Sequence, residues 1–478
     1  MALQKFALAS AVAFLASGQV CGEPLRMGAP LGVSWGSAYG FPPHKDEVFA
    51  PQARALGASF TRLTLYWSQL EPKRGAYRWT DLDSYLSQIA GPEEGFLTLS
   101  SASPWATRNA AWVFPSSPAK VAADYYNFVY SVVKHAKGRI RYFQSDQEPN
   151  NPFFWGGSAE EYAAQHRLFY KAVKDADPSA IVVLGGCDGL FDPTGQHPLP
   201  GQAADMAFFS TVIGHSAGAY DVFDLRLYGD AYNIAARLDF VRDAMAKAGG
   251  VKPVIASEYN GPGFFEFPTN RRWARTLMNP ASAADTVREL AASADSLPVE
   301  TRMFLPNAKA DDVQRFQALA ADDLVIRNVL ALASGVQRTA FFDLWHDPAE
   351  GGPANSIMFG SFKLLDRQDG TLNRQLPLAM AFSRLAGFLN EARAITRVED
   401  AQRPDVFVFR VSRARGKPLW IAWRRPARLG DDAEPVVVDA PWLPRDTSAS
   451  TLMGSARPVL SFAPPQRLTI GPSPIFIQ

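Results

Sequence analysis

A (β/α)₈ barrel followed by a small all-β domain is the fold class this sequence predicts. Three observations lead there. Eight short, β-rich apolar runs lie between about residues 31 and 390, and a helical pattern follows each one. From about residue 391 the texture changes to short strands broken by Pro, Gly, Asp and Arg-rich turns. A length of 478 residues suits a large barrel with one smaller module better than a single average domain.

The expected strands are Leu31–Trp35, Phe60–Tyr66, Phe96–Leu99, Ile140–Ser145, Ile181–Gly185, Val222–Leu227, Pro253–Ser257 and Arg338–Leu344. Alternation with helices makes them parallel, and eight units close a ring rather than an open sheet. Two helices are marked by more than periodicity. Ser117-Pro118 reads as an N-cap with proline at the first helical position, and Val121, Tyr125, Phe128 and Val132 then share one face. Lys134, His135 and Lys137 suit the negative end of that helix, and Gly138 can close it. The next helix opens on the capping-box pair Ser158 and Glu161 and stops near Asp177-Pro178. The stretch from Gly261 to Ala310 carries aromatics but little period, so it is expected to be a long loop and a candidate substrate lid. The Gly185-Gly186 pair is read as a tight turn after the fifth strand.

The chain divides into residues 1–18 as an export signal (cleavage as late as 22), residues 27–390 as the barrel and 391–478 as a β-sandwich domain. That last domain has expected strands Val406–Val411, Leu419–Trp423, Val436–Val438, Leu468–Ile470 and Ile475–Ile477. Lys5, the apolar run Phe6 to Leu15 and Ala16-Ser17-Gly18 make the signal, which implies a secreted or periplasmic bacterial protein. That run is too short to be a permanent transmembrane segment, and no later one suffices. Cys21 raises lipidation, against which Gly18-Gln19-Val20 is a poor lipobox. Cys187, the other cysteine, reads as a buried small residue, so disulfides are not the main staple. A formal net charge of +1 gives no pull towards nucleic acid. No motif suggests a zinc site, a phosphate loop or a nicotinamide fingerprint, so no metal or cofactor is expected. A monomer is expected.

Chemistry in such a barrel gathers where strands run into helices. Glu148 follows the fourth strand and Glu258 ends the seventh, and those two ends face each other across a ring of eight. A single glutamate at a strand end is usually a surface residue. Two opposed ones are what glycosidic bond cleavage needs, one carboxyl to protonate the leaving oxygen and the other to attack the anomeric carbon or activate water.

These motifs give the chain a resemblance to clan A of the glycoside hydrolases, especially family 39 and its bacterial exopolysaccharide-associated relatives. Arg62-Leu63-Thr64-Leu65-Tyr66-Trp67, Ser103-Pro104-Trp105-Ala106, Asp146-Gln147-Glu148-Pro149-Asn150, Ser257-Glu258-Tyr259 and Asp343-Leu344-Trp345 occur in the clan's order along the barrel. Glu71-Pro72 with Gly75-Ala76-Tyr77-Arg78-Trp79, the run Phe359 to Asp366 and the closing Gly471 to Ile477 add to it. The resemblance implies a retaining enzyme acting on a β-linked oligo- or polysaccharide, with Glu148 as acid/base and Glu258 as nucleophile. It also implies sugar or nucleophile contacts for Arg62, Trp67, Trp105, Gln147, Arg226, Tyr228 and Trp345. Gln147 stands where the clan usually has Asn. Arg226 stands where relatives often have His, and there it can favour an ionised Glu258, bind an acidic sugar or form a structural ion pair. Eleven Trp and fourteen Tyr could stack on sugar faces, but composition alone favours core packing. Trp35 and Trp155 join the candidates for stacking, and His346 for the pocket lining. A carbohydrate-binding protein without catalysis and a transglycosylase are the competing readings.

Overall fold

The computed structural model describes residues 29–35, 48–188, 192–194, 201–345, 352–368, 371–398, 403–431, 434–444, 447–452, 460–461 and 466–478. The export signal, Cys21 and His346 therefore lie outside the described residues. Among the described residues no helix is long and apolar enough to cross a membrane.

Eight parallel strands close a barrel in chain order. They are β1 (Leu31–Ser34), β2 (Phe60–Tyr66), β3 (Glu94–Ser100), β4 (Ile140–Ser145), β5 (Ile181–Cys187), β6 (Val222–Leu225), β7 (Val254–Tyr259) and β8 (Val336–Phe342). All eight expected strands are present, with shifts of a few residues at their ends. Each is followed by a helix, of which the longest, Ala310–Ala333, comes after β7.

Side chains alternate along each strand, and the inward ones fill the barrel in layers. Phe60, Phe96, Tyr142, Val183, Val222, Ile255 and Ala340 form a separate apolar plug inside the ring. Two residues further on, five of these strands carry Arg62, Thr98, Gln144, Asp224 and Ser257, all buried. They bond in sequence around the ring. Arg62 Nε donates to Thr98 at 2.9 Å, Thr98 Oγ1 to Gln144 at 2.8 Å and Gln144 Nε2 to Asp224 at 2.7 Å. Asp224 then accepts from the Ser257 backbone N–H at 2.7 Å. The apolar layer closes the barrel, and the polar belt above it supports the mouth.

The helix Ala159–Ala176 starts as expected: the Glu161 N–H donates to Ser158 Oγ at 3.2 Å, and Ser158 N–H to Glu161 Oε2 at 2.9 Å. The helix before it starts later than expected, at Ala122 rather than after Ser117. Ser117 is fully buried, and its hydroxyl accepts the Asn109 N–H at 2.8 Å. Pro118 and Lys120 pair through their backbones with Arg108 and Ala106, so a loop takes the residues the pattern assigned to a cap. Tyr125, Phe128 and Val132 do face the core, while Val121 is exposed. Gly138 ends this helical unit at φ +77°.

The segment from Gly261 to Ala310 is not a long bare loop. It folds into 3₁₀ turns at Phe264–Glu266 and Pro268–Trp273 and helices at Ala274–Leu277, Ala283–Ala292 and Val299–Arg302. Phe264 and Phe267 pack edge-on against Phe304, which packs on Phe316 of the long helix. Elements of three to ten residues are too short to display a helical period.

Past the last barrel helix, Pro377–Leu389, the chain forms an antiparallel sheet. In it the strands β11 (Ala392–Arg397), β12 (Val406–Arg413), β13 (Leu419–Arg424), β18 (Ile475–Ile477) and β15 (Ala449–Thr451) lie side by side. A smaller sheet holds β14 (Val436–Asp439), β17 (Arg467–Ile470) and β16 (Leu460–Ser461), and a hairpin of β9 (Leu365–Gln368) and β10 (Thr371–Gln375) precedes both. Val406, Val408, Trp420 and Ala422 face the smaller sheet, while Phe407, Phe409, Ile421 and Trp423 join the main core with the barrel helices. Period-two alternation thus lets one sheet pack on both sides. Trp423 Nε1 donates to the hydroxyl of Tyr232, in the loop after β6, at 2.9 Å.

Candidate active site

Glu148 lies three residues beyond β4 and Glu258 within β7, and both carboxyls open onto one cavity of about 1840 Å³. Such a volume exceeds the roughly 300–1,000 Å³ usual for a small-molecule pocket. Residues Gly263 to Ala283 and Arg425 to Asp431 contribute walls, so the 261–310 segment and the C-terminal module both shape it.

The backbone around Glu148 is held against its preference. Asp146 and Glu148 have φ of +51° and +42°, in the left-handed region that costs most non-glycine residues about 1–3 kcal/mol. Asp146 is anchored by the Ser101 N–H at 2.7 Å and the Ser101 hydroxyl at 2.9 and 3.0 Å. Burial pushes its own carboxyl up to about 6. The short turn this creates aims Glu148 inward.

Arg226, the residue after β6, ties the two glutamates together. One terminal nitrogen, Nη1, donates to Glu148 Oε1 and to Glu258 Oε2, each at 2.7 Å. Those two oxygens can therefore be no further apart than twice that length, 5.4 Å. The Arg226 side chain is only 1% exposed, whereas those of Glu148 and Glu258 are 10% and 7% exposed. The guanidinium is thus the floor beneath the pair rather than a plug above it. Room for it is made by Gly186, where a Cβ would stand 2.6 Å from Arg226 Nε and from Asp224 Oδ2. Gly185 and Gly186 lie inside β5 and not in a tight turn; they are glycines because Tyr162, Ser145, Arg226 and Asp224 crowd the strand.

Glu258 collects further donors. Tyr228 gives its hydroxyl to Oε2 at 2.9 Å, and Arg62 pairs with Oε1. Arg62 also donates to Gln147 at 3.1 Å and Gln144 at 3.2 Å. Burial alone would push the Glu258 carboxyl up, but Arg226 and then Arg62, with the Tyr228 and Arg62 hydrogen bonds, outweigh it and hold the group below its ordinary value. Glu148 goes the other way. Burial, aided by the charges of Glu258 and Asp188, raises it to about 7 against the opposing pull of Arg226. Its second oxygen accepts from Asn151 Nδ2 at 3.4 Å. One carboxyl keeps its proton near neutrality and the other is ionised.

Arg62, Gln147, Arg226 and Tyr228 thus gather around Glu148 and Glu258. The tryptophans do not. Trp67 is fully buried, stacks on Phe128 at 4.9 Å and gives its N–H to Glu71 at 2.7 Å. Trp105 donates to the Glu71 backbone at 2.9 Å and has Arg74 over its ring at 5.6 Å. Trp345 is buried under Arg367, whose guanidinium lies 4.5 Å from the ring. Trp155 packs edge-on against Tyr162. These four support the loops from behind, and of the candidate tryptophans only Trp35 lines the cavity among the described residues. Gln144, Asp224 and Asn151 escaped the sequence reading as site residues, and Gly186 was read only as part of a turn. A polar residue at an inward strand position was the signal for the first two. Among the described residues no group of three or more His, Cys, Asp or Glu side chains could hold a metal.

Neither a protein-family model nor a curated protein matches the sequence. Solved structures do match in three dimensions. A family 39 glycoside hydrolase from Bacteroides cellulosilyticus WH2 superposes with a TM-score of 0.61 at 14% identity, over 95% of this chain and 81% of that one. The clan A glycoside hydrolase fold is this chain's fold. A family 51 α-L-arabinofuranosidase from Bifidobacterium longum gives 0.57 at 13% identity, over 95% and 97%. A family 30 xylanase C from Talaromyces cellulolyticus gives 0.52 at 12%, over 95% and 98%.

Proposed function

We propose that this protein is a retaining glycoside hydrolase that cleaves β-glycosidic bonds of an oligo- or polysaccharide, bacterial exopolysaccharide being the first candidate, after export to the periplasm or beyond. One observation carries the reading: facing oxygens of Glu148 and Glu258 share a single nitrogen and lie within 5.4 Å of each other. Carboxyl groups about 5–5.5 Å apart suit direct attack on the sugar, whereas inversion needs about 6.5–9.5 Å to admit a water.

In the first step the Glu258 carboxylate bonds to the anomeric carbon while the glycosidic C–O bond breaks and Glu148 protonates the departing oxygen. In the second, Glu148, now a carboxylate, takes a proton from water. The water oxygen bonds to the anomeric carbon and the ester to Glu258 breaks. The split between a low Glu258 and a Glu148 near 7 gives each group the protonation state the first step requires. Once Glu258 is esterified its charge is gone, one of the influences raising Glu148 disappears, and Glu148 is freed to act as base.

The test is intact-protein mass after exposure to 2-deoxy-2-fluoro-β-glycosyl fluorides of glucose, xylose, mannose and galactose. A single sugar adduct mapped to Glu258, absent in Glu258→Gln, is expected. Inverted product at the first turnover, seen by proton NMR of the anomers, would sink the double-displacement reading.

A further inference from the structure

With Trp67, Trp155 and Trp345 buried, phenylalanines on the side of the acid/base supply part of the cavity's aromatic surface. Phe153 is 59% exposed, and Phe114 and Phe154 are half-buried beside it; all three line the same cavity as Glu148. Their rings brace one another. Phe114 and Phe153 each meet Phe154 nearly perpendicular, with centroids 4.8 and 4.9 Å away. Tyr66 supports Phe114 edge-on at 5.3 Å. The backbone is fixed as well, since the Ser116 N–H donates to the Phe154 carbonyl at 2.9 Å and joins the two loops that carry the rings.

The cluster is tied to the chemistry through Asn151. Its N–H donates to the Glu148 carbonyl at 2.9 Å, its Nδ2 to Glu148 Oε2, and its Oδ1 accepts the Phe153 N–H at 3.0 Å. Glu148 therefore turns Oε1 to Arg226 and Glu258 and Oε2 towards the residues that carry the phenylalanines. Oε2 is the oxygen free of the guanidinium and so the one suited to hold the transferable proton. A large ring exposed on a braced, preformed lip presents an apolar face to water, and the C–H face of a pyranose is a fitting cover.

From this we propose that Phe114, Phe153 and Phe154 form the subsite for the sugar ring on the leaving-group side of the cleaved bond. The enzyme then acts within or near the end of a saccharide chain that has at least one ring beyond the cleavage point. This rests on the retaining reading above. It also makes the lip the acceptor site in the reverse sense: a sugar hydroxyl held there gives its proton to Glu148, its oxygen bonds to the anomeric carbon, and the bond to Glu258 breaks.

The experiment uses that reverse step. Wild-type enzyme labelled by the fluorides above is freed of excess reagent and incubated with cellobiose or xylobiose, and loss of the adduct is followed by mass. Saturable acceleration by the disaccharide over buffer is expected. Phe153→Ala and Phe114→Ala should each raise the half-saturating disaccharide concentration about tenfold. The rate of labelling should fall far less than the reactivation does, because fluoride has no ring to place on the lip. Phe153→Trp should retain the acceleration, and thermal melts should show Phe153→Ala folded, its ring being exposed. Labelling followed by identical reactivation of wild type and both alanine variants would overturn the subsite. So would the absence of any acceleration in wild type, or a change of oligomeric state as the only effect of the variants. A wild type that never labels on Glu258 would instead remove the retaining reading and the subsite with it.

Discussion

Replacing Arg226 by methionine keeps most of the side-chain volume and removes the one cation that both glutamates share. The expected consequence is a displacement of the whole pH profile. An opposite charge within about 4–6 Å depresses a carboxyl by roughly 1–3 pH units. Arg226 touches both groups at 2.7 Å, and Glu258 keeps Arg62 and Tyr228 after the substitution. The lower half of that range, about one to two units, is therefore the expected rise for Glu258. Glu148, already near 7, loses the same favourable charge and rises too. The sign follows directly. The proposed mechanism needs Glu258 ionised and Glu148 protonated, so the acid limb of kcat/KM moves up and the alkaline limb moves up with it. On the acid limb the variant should retain a smaller fraction of its maximum than wild type does, and above about pH 8 it should lose less. Carboxyl carbon-13 titration of the free protein reads the same shifts without any substrate, as two apparent values belonging to the coupled pair. Arg226→Lys, which restores a charge but only one compact head, should recover part of the displacement. Unmoved limbs in Arg226→Met, with a folded protein, would refute the account of Arg226 as the shared electrostatic floor.

Three further outcomes are expected. Gly186→Ala puts a methyl 2.6 Å from Arg226 Nε and should reproduce the Arg226→Met pH displacement, with a loss of about tenfold or more in kcat/KM at the wild-type optimum. A displacement of the melting temperature without any change in the pH limbs would count against that reason for the glycine. Glu148→Gln should abolish turnover yet raise the melting temperature at about pH 8. The folded-state carboxyl, raised to about 7, favours folding fully below its unfolded value near 4.5, and that contribution is lost as pH rises towards 7. The difference between variant and wild type should therefore vanish below about pH 4 in thermal melts. Trp67→Ala should cost about 3–5 kcal/mol in denaturant unfolding, because it empties a fully buried site. A variant that instead kept full stability and lost only sugar affinity would restore Trp67 to the cavity.

The barrel was legible because its signals are long and redundant: eight β-rich runs, each followed by a helix, leave few topologies open. The helix after Ser158 was legible to the residue because its cap is local chemistry. The helix after Ser117 was misplaced for the opposite reason. Its apparent cap, Ser117, is claimed by the Asn109 N–H, a loop contact that hydrophobic periodicity does not encode. The 261–310 segment failed in a third way. Its phenylalanines pack on Phe304 and Phe316 rather than along one helix face, so the pattern that encodes it is tertiary.

The same distinction separates the two halves of the site. Glu148, Glu258, Arg62 and Tyr228 sit on strands or at their ends, and strand position fixes direction, so their convergence could be read from the order of the motifs. Aromatic side chains on loops have no such constraint. Trp67 and Trp105 look like platforms in a motif, but the polar tip of each finds Glu71 and the ring is drawn behind the wall. Phenylalanine lacks a polar tip, so once the backbone turn Glu148–Phe154 is set, no hydrogen bond draws Phe153 inward and it remains at the lip. The Glu148 turn thus places the carboxyl and the exposed aromatic surface together. On the proposed mechanism, a strained backbone at Glu148, anchored through Asp146, Ser101 and Asn151, would link catalytic geometry to leaving-group recognition. Weakening the Asp146 anchor should consequently disturb protonation and acceptor binding together rather than either alone.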